Sequence, residues 1–145
     1  MKAMTSYDSL VEKLYHQQHP HLQRQLDYLP TTFIDDNGIV FKAKADFYCS
    51  ITNTYIEVKN HQLNNYKTKQ ACLNRQQALR QHRGSLTKLE QLQSGWNHSL
   101  YKHLIIQQTL AVLGINYLVV FYRPTKLTKQ SLNKMNCLGL SYTIQ

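Results

Sequence analysis

The sequence predicts one mixed α/β domain of the α+β kind, spanning residues 1–145. A length of 145 residues suits a single domain with its own core. The hydrophobic period changes from helical to alternating at Thr31 and returns to helical after Lys67. A strongly apolar helix and a buried strand then follow. We therefore expect a helix, a three-stranded meander, helices, a strand, and a C-terminal helix and strand.

The first helix is predicted at the start of the chain. Apolar residues repeat at helical spacing over Tyr7–Tyr15. His19-Pro20-His21 ends this helix, because proline disfavours the helical conformation in the residue before it. Three leucines at helical spacing within residues 22–29 predict a further short helical stretch that ends before Pro30.

Residues 31–59 are predicted to form an antiparallel meander of three strands. Asp36-Asn37-Gly38 is a strong hairpin signal between the first two strands. The second strand, Phe41–Ile51, is long, with apolar or small side chains at its odd positions. Thr52-Asn53 turns the chain, and Thr54–Lys59 runs back as the third strand.

The remaining elements alternate between helices and strands. In order, they are a basic helix from Lys67 to about Arg83, a helical piece Leu86–Leu92, an apolar helix Ser99–Leu113, a buried strand Tyr117–Tyr122, a short helix near Thr128–Met135 and a strand Leu140–Ile144. Gly114 stands where a left-handed C-terminal cap belongs after the apolar helix.

The composition excludes several classes of protein. Hydrophobic residues make up 42% of the chain and charged residues 17%, which excludes disordered and collagen-like chains. No apolar run approaches the roughly 18 residues of a membrane span, and no signal peptide is recognised, so we expect no membrane association. Three scattered cysteines suit free thiols in a reducing compartment, and we expect a cytoplasmic protein.

The charge of the chain is basic and unevenly distributed. The formal net charge is +9, with 17 Lys and Arg against 8 Asp and Glu. Residues 1–60 hold seven of the acidic side chains, whereas residues 61–145 hold eleven basic side chains and only Glu90. A positive field of this strength favours an anionic partner, most simply the phosphates of nucleic acid.

Three polar residues of the predicted hairpin carry the chemistry. Glu57 and Lys59 are two apart on one strand and therefore share a face. A two-residue turn at Thr52-Asn53 predicts that Lys59 lies opposite Asp46 and Glu57 opposite Tyr48. Asp46, Glu57 and Lys59 should then converge, about 5 Å apart, on the face away from the apolar side chains.

Such a group suits phosphodiester hydrolysis. That reaction needs an activated water, stabilisation of additional negative charge and a protonated leaving oxygen. Mg²⁺ held by Asp46, Glu57 and the Val58 carbonyl can lower the pKa of a water molecule and bind the phosphate. Lys59 beside it can position or deprotonate the attacking water and neutralise developing charge.

These residues resemble the signature of the PD-(D/E)XK nuclease superfamily. In that signature an Asp on one strand is followed by Glu-x-Lys on the next, as at Asp46, Glu57 and Lys59. Ala45 stands where the family usually has proline. Many members add a metal-binding glutamate on the first helix, and Glu12 occupies the corresponding place, with Asp8 as the second candidate.

The resemblance implies a restriction-endonuclease-like core and a Mg²⁺-dependent endonuclease that hydrolyses DNA, with Mn²⁺ as a substitute metal. It leaves the subfamily open among phage nucleases, junction resolvases, homing enzymes and restriction enzymes. A chain this short usually pairs to cut both strands of a duplex, so we expect a homodimer or a larger symmetric assembly.

Further basic residues are predicted to contact DNA. They are Lys67, Lys69, Arg75, Arg80 and Arg83 of the basic helix, and Lys102 of the apolar helix. His61, two residues after Lys59, is a candidate phosphate contact or proton relay.

Other functions remain open at this point. The chain could be a non-catalytic DNA-binding protein that keeps the nuclease fold, or a junction resolvase or exonuclease of the same superfamily. It could also be a structural or interaction protein whose basic surface is incidental. Metal-dependent cleavage distinguishes the nucleases from the non-catalytic proteins. Salt-sensitive DNA binding then distinguishes a non-catalytic DNA-binding protein from a structural or interaction protein.

Overall fold

The structure is a computed structural model that describes residues 10–59, 69–97, 99–124 and 128–145. Within these residues it is a mixed α/β fold. The helices are α1 (Leu10–Gln18), α2 (Lys69–Arg80), α3 (Leu86–Asn97), α4 (Leu100–Val112) and α5 (Lys129–Leu138). The strands are β1 (Gln23–Arg24), β2 (Phe33–Ile34), β3 (Val40–Phe41), β4 (Phe47–Cys49), β5 (Thr54–Lys59), β6 (Asn116–Phe121) and β7 (Tyr142–Ile144).

Five of the strands form one mixed sheet, in the order β1-β4-β5-β6-β7. β4 pairs antiparallel with both β1 and β5, whereas β6 pairs parallel with both β5 and β7. The parallel pairs are possible because helices connect their strands: α2, α3 and α4 lie between β5 and β6, and α5 lies between β6 and β7. The strand β5 is therefore central and has a neighbour on each side.

Helices cover both faces of this sheet. Alternate side chains of a strand point to opposite faces. Ile56 and Val58 of β5 join a buried cluster with Tyr15 of α1, while Val119 of β6 joins a second cluster with Ile106 of α4. We call these the α1 face and the α4 face of the sheet. No helix in the described part of the chain is long and apolar enough to cross a membrane.

The helical stretch predicted within residues 22–29 is wrong. Residues 23–24 form β1, and the chain then runs beside residues 43–46. The Gln25 amide donates to the Asp46 carbonyl at 3.0 Å, and the Leu29 amide donates to the Ala43 carbonyl at 2.8 Å. These backbone hydrogen bonds to a distant segment outweigh a helical spacing supported by only three leucines.

The predicted meander is correct in part. The Asp36-Asn37-Gly38 hairpin is confirmed, with Gly38 at a φ of +79° between β2 and β3. These two strands form a separate sheet, so the antiparallel trio of the main sheet is β1-β4-β5. The predicted long strand, Phe41–Ile51, is interrupted over residues 42–46, and Ile51 is 84% exposed. The hairpin leaves the main sheet because it packs elsewhere, with the ring of Phe41 against that of Trp96.

The helices and strands predicted from the basic helix onward are confirmed, with small differences at their ends. Helix α3 continues to Asn97, beyond the predicted end at Leu92. Ser99 caps α4, since its Oγ accepts a hydrogen bond from the Tyr101 amide at 3.1 Å. Gly114 has a φ of +76° after this helix, as predicted from its position.

Candidate active site

The pairing of β4 with β5 differs from the predicted register by two residues. Phe47 lies opposite Ile56, and Cys49 lies opposite Thr54, because the turn contains the four residues 50–53. Asp46 lies just before the first paired residue of β4, and its amide donates to the Ile56 carbonyl, so the regular pairing stops at Phe47. The prediction that Lys59 lies opposite Asp46 is therefore wrong. Because the shift is by an even number of residues, the side chains of β4 and β5 keep their predicted faces. Ala43 and Ala45 do not share the face of Phe47, because they pack in the cluster with α4 and Phe47 packs in the cluster with α1.

Side-chain hydrogen bonds explain the longer turn. The Tyr48 hydroxyl donates to Asn53 Oδ1 at 2.8 Å, and the hydroxyls of Thr52 and Thr54 lie 2.9 Å apart. Asn53 adopts a positive φ of 51°, a conformation that asparagine tolerates better than most residues. The turn therefore has its own local stabilisation, which a two-residue hairpin would lack.

The Asp46 carboxyl group is fixed against the edge of β5. Its Oδ2 accepts a hydrogen bond from the Val58 amide at 2.8 Å, and its own amide donates to the Ile56 carbonyl at 3.0 Å. The N–H and C=O of one strand residue point to the same side of the strand. The carbonyl of Val58 therefore faces the same side as its amide, towards Asp46.

Glu57 and Lys59 form an ion pair on the same strand. Lys59 Nζ lies 3.1 Å from Glu57 Oε2, and each side chain is only 13% exposed. The predicted register would give a cross-strand ion pair between Asp46 and Lys59 if the hairpin had only a structural role. The structure has the Glu57–Lys59 pair on one strand instead. Asp46, Glu57 and Lys59 nevertheless act on one another electrostatically, in agreement with the prediction that they converge.

Burial and neighbouring negative charge disfavour ionisation of Asp46. Burial is the largest cause, and together with the charges of Glu57 and Glu12 it raises the pKa of Asp46 to about 9. The Val58 amide and the Lys59 ammonium act in the opposite direction but more weakly. Without a cation, the Asp46 carboxyl is therefore protonated at neutral pH.

Glu12 reaches this region from α1, as predicted. It lines a cleft of about 120 Å³ together with Asp46. The complete lining of this cleft is Glu12, Arg24, Gln25, Leu26, Lys44, Ala45 and Asp46. A cleft of this volume has room for several water molecules.

Lys102 and Tyr117 approach the site from the α4 face. Burial lowers the pKa of Lys102, and the nearby charge of Lys59 lowers it further, whereas that of Glu57 opposes the shift. Burial also raises the pKa of Tyr117 well above its ordinary value, with smaller contributions from Glu57 and Asp46. The Tyr117 hydroxyl lies 2.9 Å from His103 Nδ1, which fixes the ring behind the carboxylates.

The donor groups suit Mg²⁺ as a two-carboxylate site. Mg²⁺ in proteins usually binds through one or two carboxylates and keeps several waters. Asp46 and Glu57 supply two carboxylates, and the Val58 carbonyl faces the first of them. Over the described ranges no three His, Cys, Asp or Glu side chains are grouped closely enough to hold a metal ion. Glu12 acts on the Asp46 carboxyl through its charge and lines the same cleft, and its predicted role as a metal ligand stays a prediction.

Two arginines of the predicted DNA-binding helix have protein partners in the structure. Arg75 Nη1 donates to the Gln91 carbonyl at 2.9 Å, which joins α2 to α3. Arg80 Nη1 donates to the Asn37 carbonyl at 2.6 Å, which joins α2 to the β2–β3 hairpin. Arg83 is exposed beyond the end of α2, and Lys69 is the first residue of that helix.

Three predicted residues lie outside the described part of the chain. They are Asp8, His61 and Lys67. Their assignments as a metal ligand, a phosphate contact and a DNA contact therefore stay predictions.

Sequence reasoning missed two basic residues of the cleft. Arg24 was assigned to a helix that does not form, so its direction could not be predicted. Lys44 lies two residues before Asp46 and lines the cleft with it. In the predicted strand this spacing places both side chains on one face, so the sequence could have indicated that Lys44 lies near Asp46. Both residues bring positive charge to the cleft beside Asp46.

Gln107 of α4 has a structural role. Its Nε2 donates to the carbonyls of Tyr117 and Ser141 at 2.8 and 3.0 Å, and its Oε1 accepts from the Ser141 amide at 2.9 Å. One side chain therefore joins α4, β6 and the segment before β7.

Comparison of the chain with protein-family models, with curated proteins and with solved structures finds no match. A function for this protein is therefore inferred from the geometry and chemistry of the site.

Proposed function

We propose that this protein is a Mg²⁺-dependent DNA endonuclease of the PD-(D/E)XK type. One observation carries the proposal: the Asp46 carboxyl is fixed by the amide of Val58, the residue between Glu57 and Lys59, and Glu57 is paired with Lys59. Two carboxylates and a lysine in this arrangement are the groups that phosphodiester hydrolysis requires.

The topology supports a restriction-endonuclease-like core. Helix α1 packs behind the antiparallel pair β4–β5, and β6 follows the helical segment and pairs parallel with β5. This order agrees with the helix, strands, helix and strand of the resembled family. The β2–β3 hairpin is an insertion between the first two strands of the antiparallel trio.

Each residue of the site has a role in this proposal. Asp46, Glu57 and the Val58 carbonyl hold the metal ion, and Glu12 adds negative charge from α1. When bound, Mg²⁺ supplies charge neutralisation and a lowered pKa for a bound water. Lys59 positions the attacking water and stabilises the negative charge that develops on the phosphate.

Lys102 contributes positive charge beside the scissile phosphate. Its ammonium is partly buried on α4 and acts on both Glu57 and Lys59. A buried cation at this position stabilises negative charge more strongly than an exposed one, because the surrounding dielectric is lower.

The second candidate function is non-catalytic DNA binding. The concentration of eleven basic residues in positions 61–145 favours it independently of the carboxylates. In that function the site would be a polar surface of the sheet, and no metal would be needed.

The three cysteines agree with a cytoplasmic setting for either function. Cys49 and Cys72 are buried free thiols, and Cys137 is an exposed free thiol. Exposed free thiols are typical of proteins in reducing compartments.

Single-turnover cleavage tests the proposal. Wild-type protein, Glu57→Gln and Lys59→Ala are incubated with supercoiled, linear and branched DNA, with and without Mg²⁺. Cleavage should need Mg²⁺, collapse in Glu57→Gln, and slow by about 10²-fold or more in Lys59→Ala. Glu90→Gln and Lys88→Ala change exposed residues of α3 and should cut at the wild-type rate.

Two outcomes would contradict it. Equal rates for all five proteins would assign the activity to a contaminant or to another site. Salt-sensitive DNA binding without cleavage of any substrate would favour the second candidate function.

A further inference from the structure

The segment that carries Arg24 also presents an exposed aromatic ring beside the cleft. Its backbone is fixed to residues 43–46 by the hydrogen bonds from the Gln25 and Leu29 amides. Leu29 and Ala43 are buried in the core beneath it. Tyr28, between these fixed positions, is 57% exposed. The ring is therefore presented to solvent from an anchored backbone.

Basic side chains surround this ring. Lys44 Nζ lies 5.0 Å from the centroid of the Tyr28 ring, and Lys42 Nζ lies 5.4 Å from it, both within cation–π distance. Lys44 and Arg24 also line the cleft that contains Asp46. We call Arg24, Tyr28, Lys42 and Lys44 the Tyr28 platform. It links an exposed aromatic ring to the candidate active site through positive charge.

Nucleic acid strands match this combination of groups. Proteins that bind single strands pair cationic side chains, which contact phosphates, with aromatic rings on which bases stack. In a continuous duplex the faces of each base are covered by its neighbours in the stack, so a tyrosine can stack only on an unpaired base. Asp27, exposed next to Tyr28, is the acidic residue of this segment and is outnumbered by the three cations.

We infer that the Tyr28 platform binds an unpaired DNA strand and directs it towards Asp46. One base stacks on the Tyr28 ring, and Lys42, Lys44 and Arg24 contact the neighbouring phosphates. The inference rests on the proposed nuclease function and specifies its substrate as a single strand, an overhang or a branch. An enzyme that cuts a single strand needs one active site for each cut. It therefore does not need the dimer that cleavage of both strands of a duplex usually requires.

Fluorescence anisotropy in EDTA tests the platform without cleavage. The probes are a short labelled thymidine oligonucleotide and a blunt-ended labelled duplex of two complementary strands. Wild-type protein should bind the oligonucleotide more tightly than the duplex. Tyr28→Ala should weaken oligonucleotide binding by about tenfold or more, whereas Tyr28→Phe, which keeps the aromatic face, should stay within about twofold of wild type.

The cationic part of the platform is tested by salt dependence. Lys44→Gln should reduce the slope of log affinity against log salt by about 0.7 for the oligonucleotide, the value for one lost phosphate contact on a single strand. Lys88→Gln, an exposed lysine on α3, is the matched control and should leave the slope unchanged.

The outcomes separate this inference from the proposed function. Equal affinity of wild-type protein for oligonucleotide and duplex, or wild-type affinity in Tyr28→Ala, would overturn the inference even if Mg²⁺-dependent cleavage is observed. Tyr28-dependent strand binding by a protein that cuts no DNA would support the platform and overturn the nuclease function.

Discussion

Asp46→Asn should stabilise the metal-free protein, and increasingly so as the pH rises. The asparagine Oδ1 can still accept the hydrogen bond from the Val58 amide, but the variant has no carboxyl group to ionise. In the folded protein, burial and the charges of Glu57 and Glu12 raise the pKa of Asp46 to about 9, whereas its ordinary value is 3.8. Between these values the folded state keeps a proton that the unfolded chain releases. The free energy of unfolding of the wild type therefore falls as the pH rises through this window.

The size of the effect follows from one proton. Its contribution to the free energy of unfolding changes by at most about 1.4 kcal/mol per pH unit. Between about pH 6 and about pH 8 the wild type should lose up to roughly 3 kcal/mol relative to Asp46→Asn. For a domain of this length that difference corresponds to roughly 10 °C in Tm. Other titrating groups are common to both proteins and cancel in the comparison.

Thermal and denaturant unfolding in EDTA, at a series of pH values, measure the difference. Asp27→Asn is the matched control, because Asp27 is exposed in the neighbouring segment and should leave the pH dependence unchanged. Mg²⁺ added at alkaline pH should raise the Tm of the wild type and not that of Asp46→Asn, since binding to the folded state stabilises it. Parallel pH profiles for wild type and Asp46→Asn would refute the electrostatic account of this site.

Three further predictions concern packing and DNA contacts. Gly95→Ala should stabilise an Arg75→Ala protein by about 0.5–1 kcal/mol, because alanine favours the helix more than glycine does. It should not stabilise the wild type, because the new methyl group meets the Arg75 side chain. A double-mutant cycle of urea unfolding measures the coupling between the two positions. Gln107→Ala should lower the Tm because three hydrogen bonds are lost, and Gln107→Glu should not restore it, because a carboxylate oxygen then faces the two carbonyl oxygens; an unchanged Tm in Gln107→Ala would contradict its structural role. Arg83→Gln should reduce the salt slope of duplex binding by about 0.9 with an unchanged Tm, and an unaltered slope would remove Arg83 from the DNA contacts.

The alternation of β5 was predictable from the sequence. Ile56 and Val58 are buried, whereas Glu57 and Lys59 are partly exposed and pair with each other, as their spacing predicts. The apolar pattern of the sequence also identified α4 and β6, and most of the apolar residues of each element are buried in the structure. Such features depend on residues that are close in sequence.

The features that could not be predicted depend on contacts between distant segments. Strand β1 forms because residues 23–24 pair with residues 47–48, and the Gln25 and Leu29 amides then bond to residues 43–46; no local pattern signals that pairing. The register of β4 against β5 depends on the four-residue turn at 50–53, in which side-chain hydrogen bonds form. Arg75 contributes to the charge count in the same way as any other arginine, yet the structure uses it to join two helices.

The parallel pairing of β5 with β6 has a consequence for how the chain folds. Thr54 pairs with Asn116, 62 positions later, whereas the β4–β5 hairpin closes within a few residues. Contacts between such distant positions carry a larger loop-closure entropy and form late. During synthesis the β6 segment would follow β5 by on the order of 3–12 s, at the usual rate of translation. Over that interval the open edge of β5 can pair with other nascent chains, so slower expression at low temperature should favour the native protein.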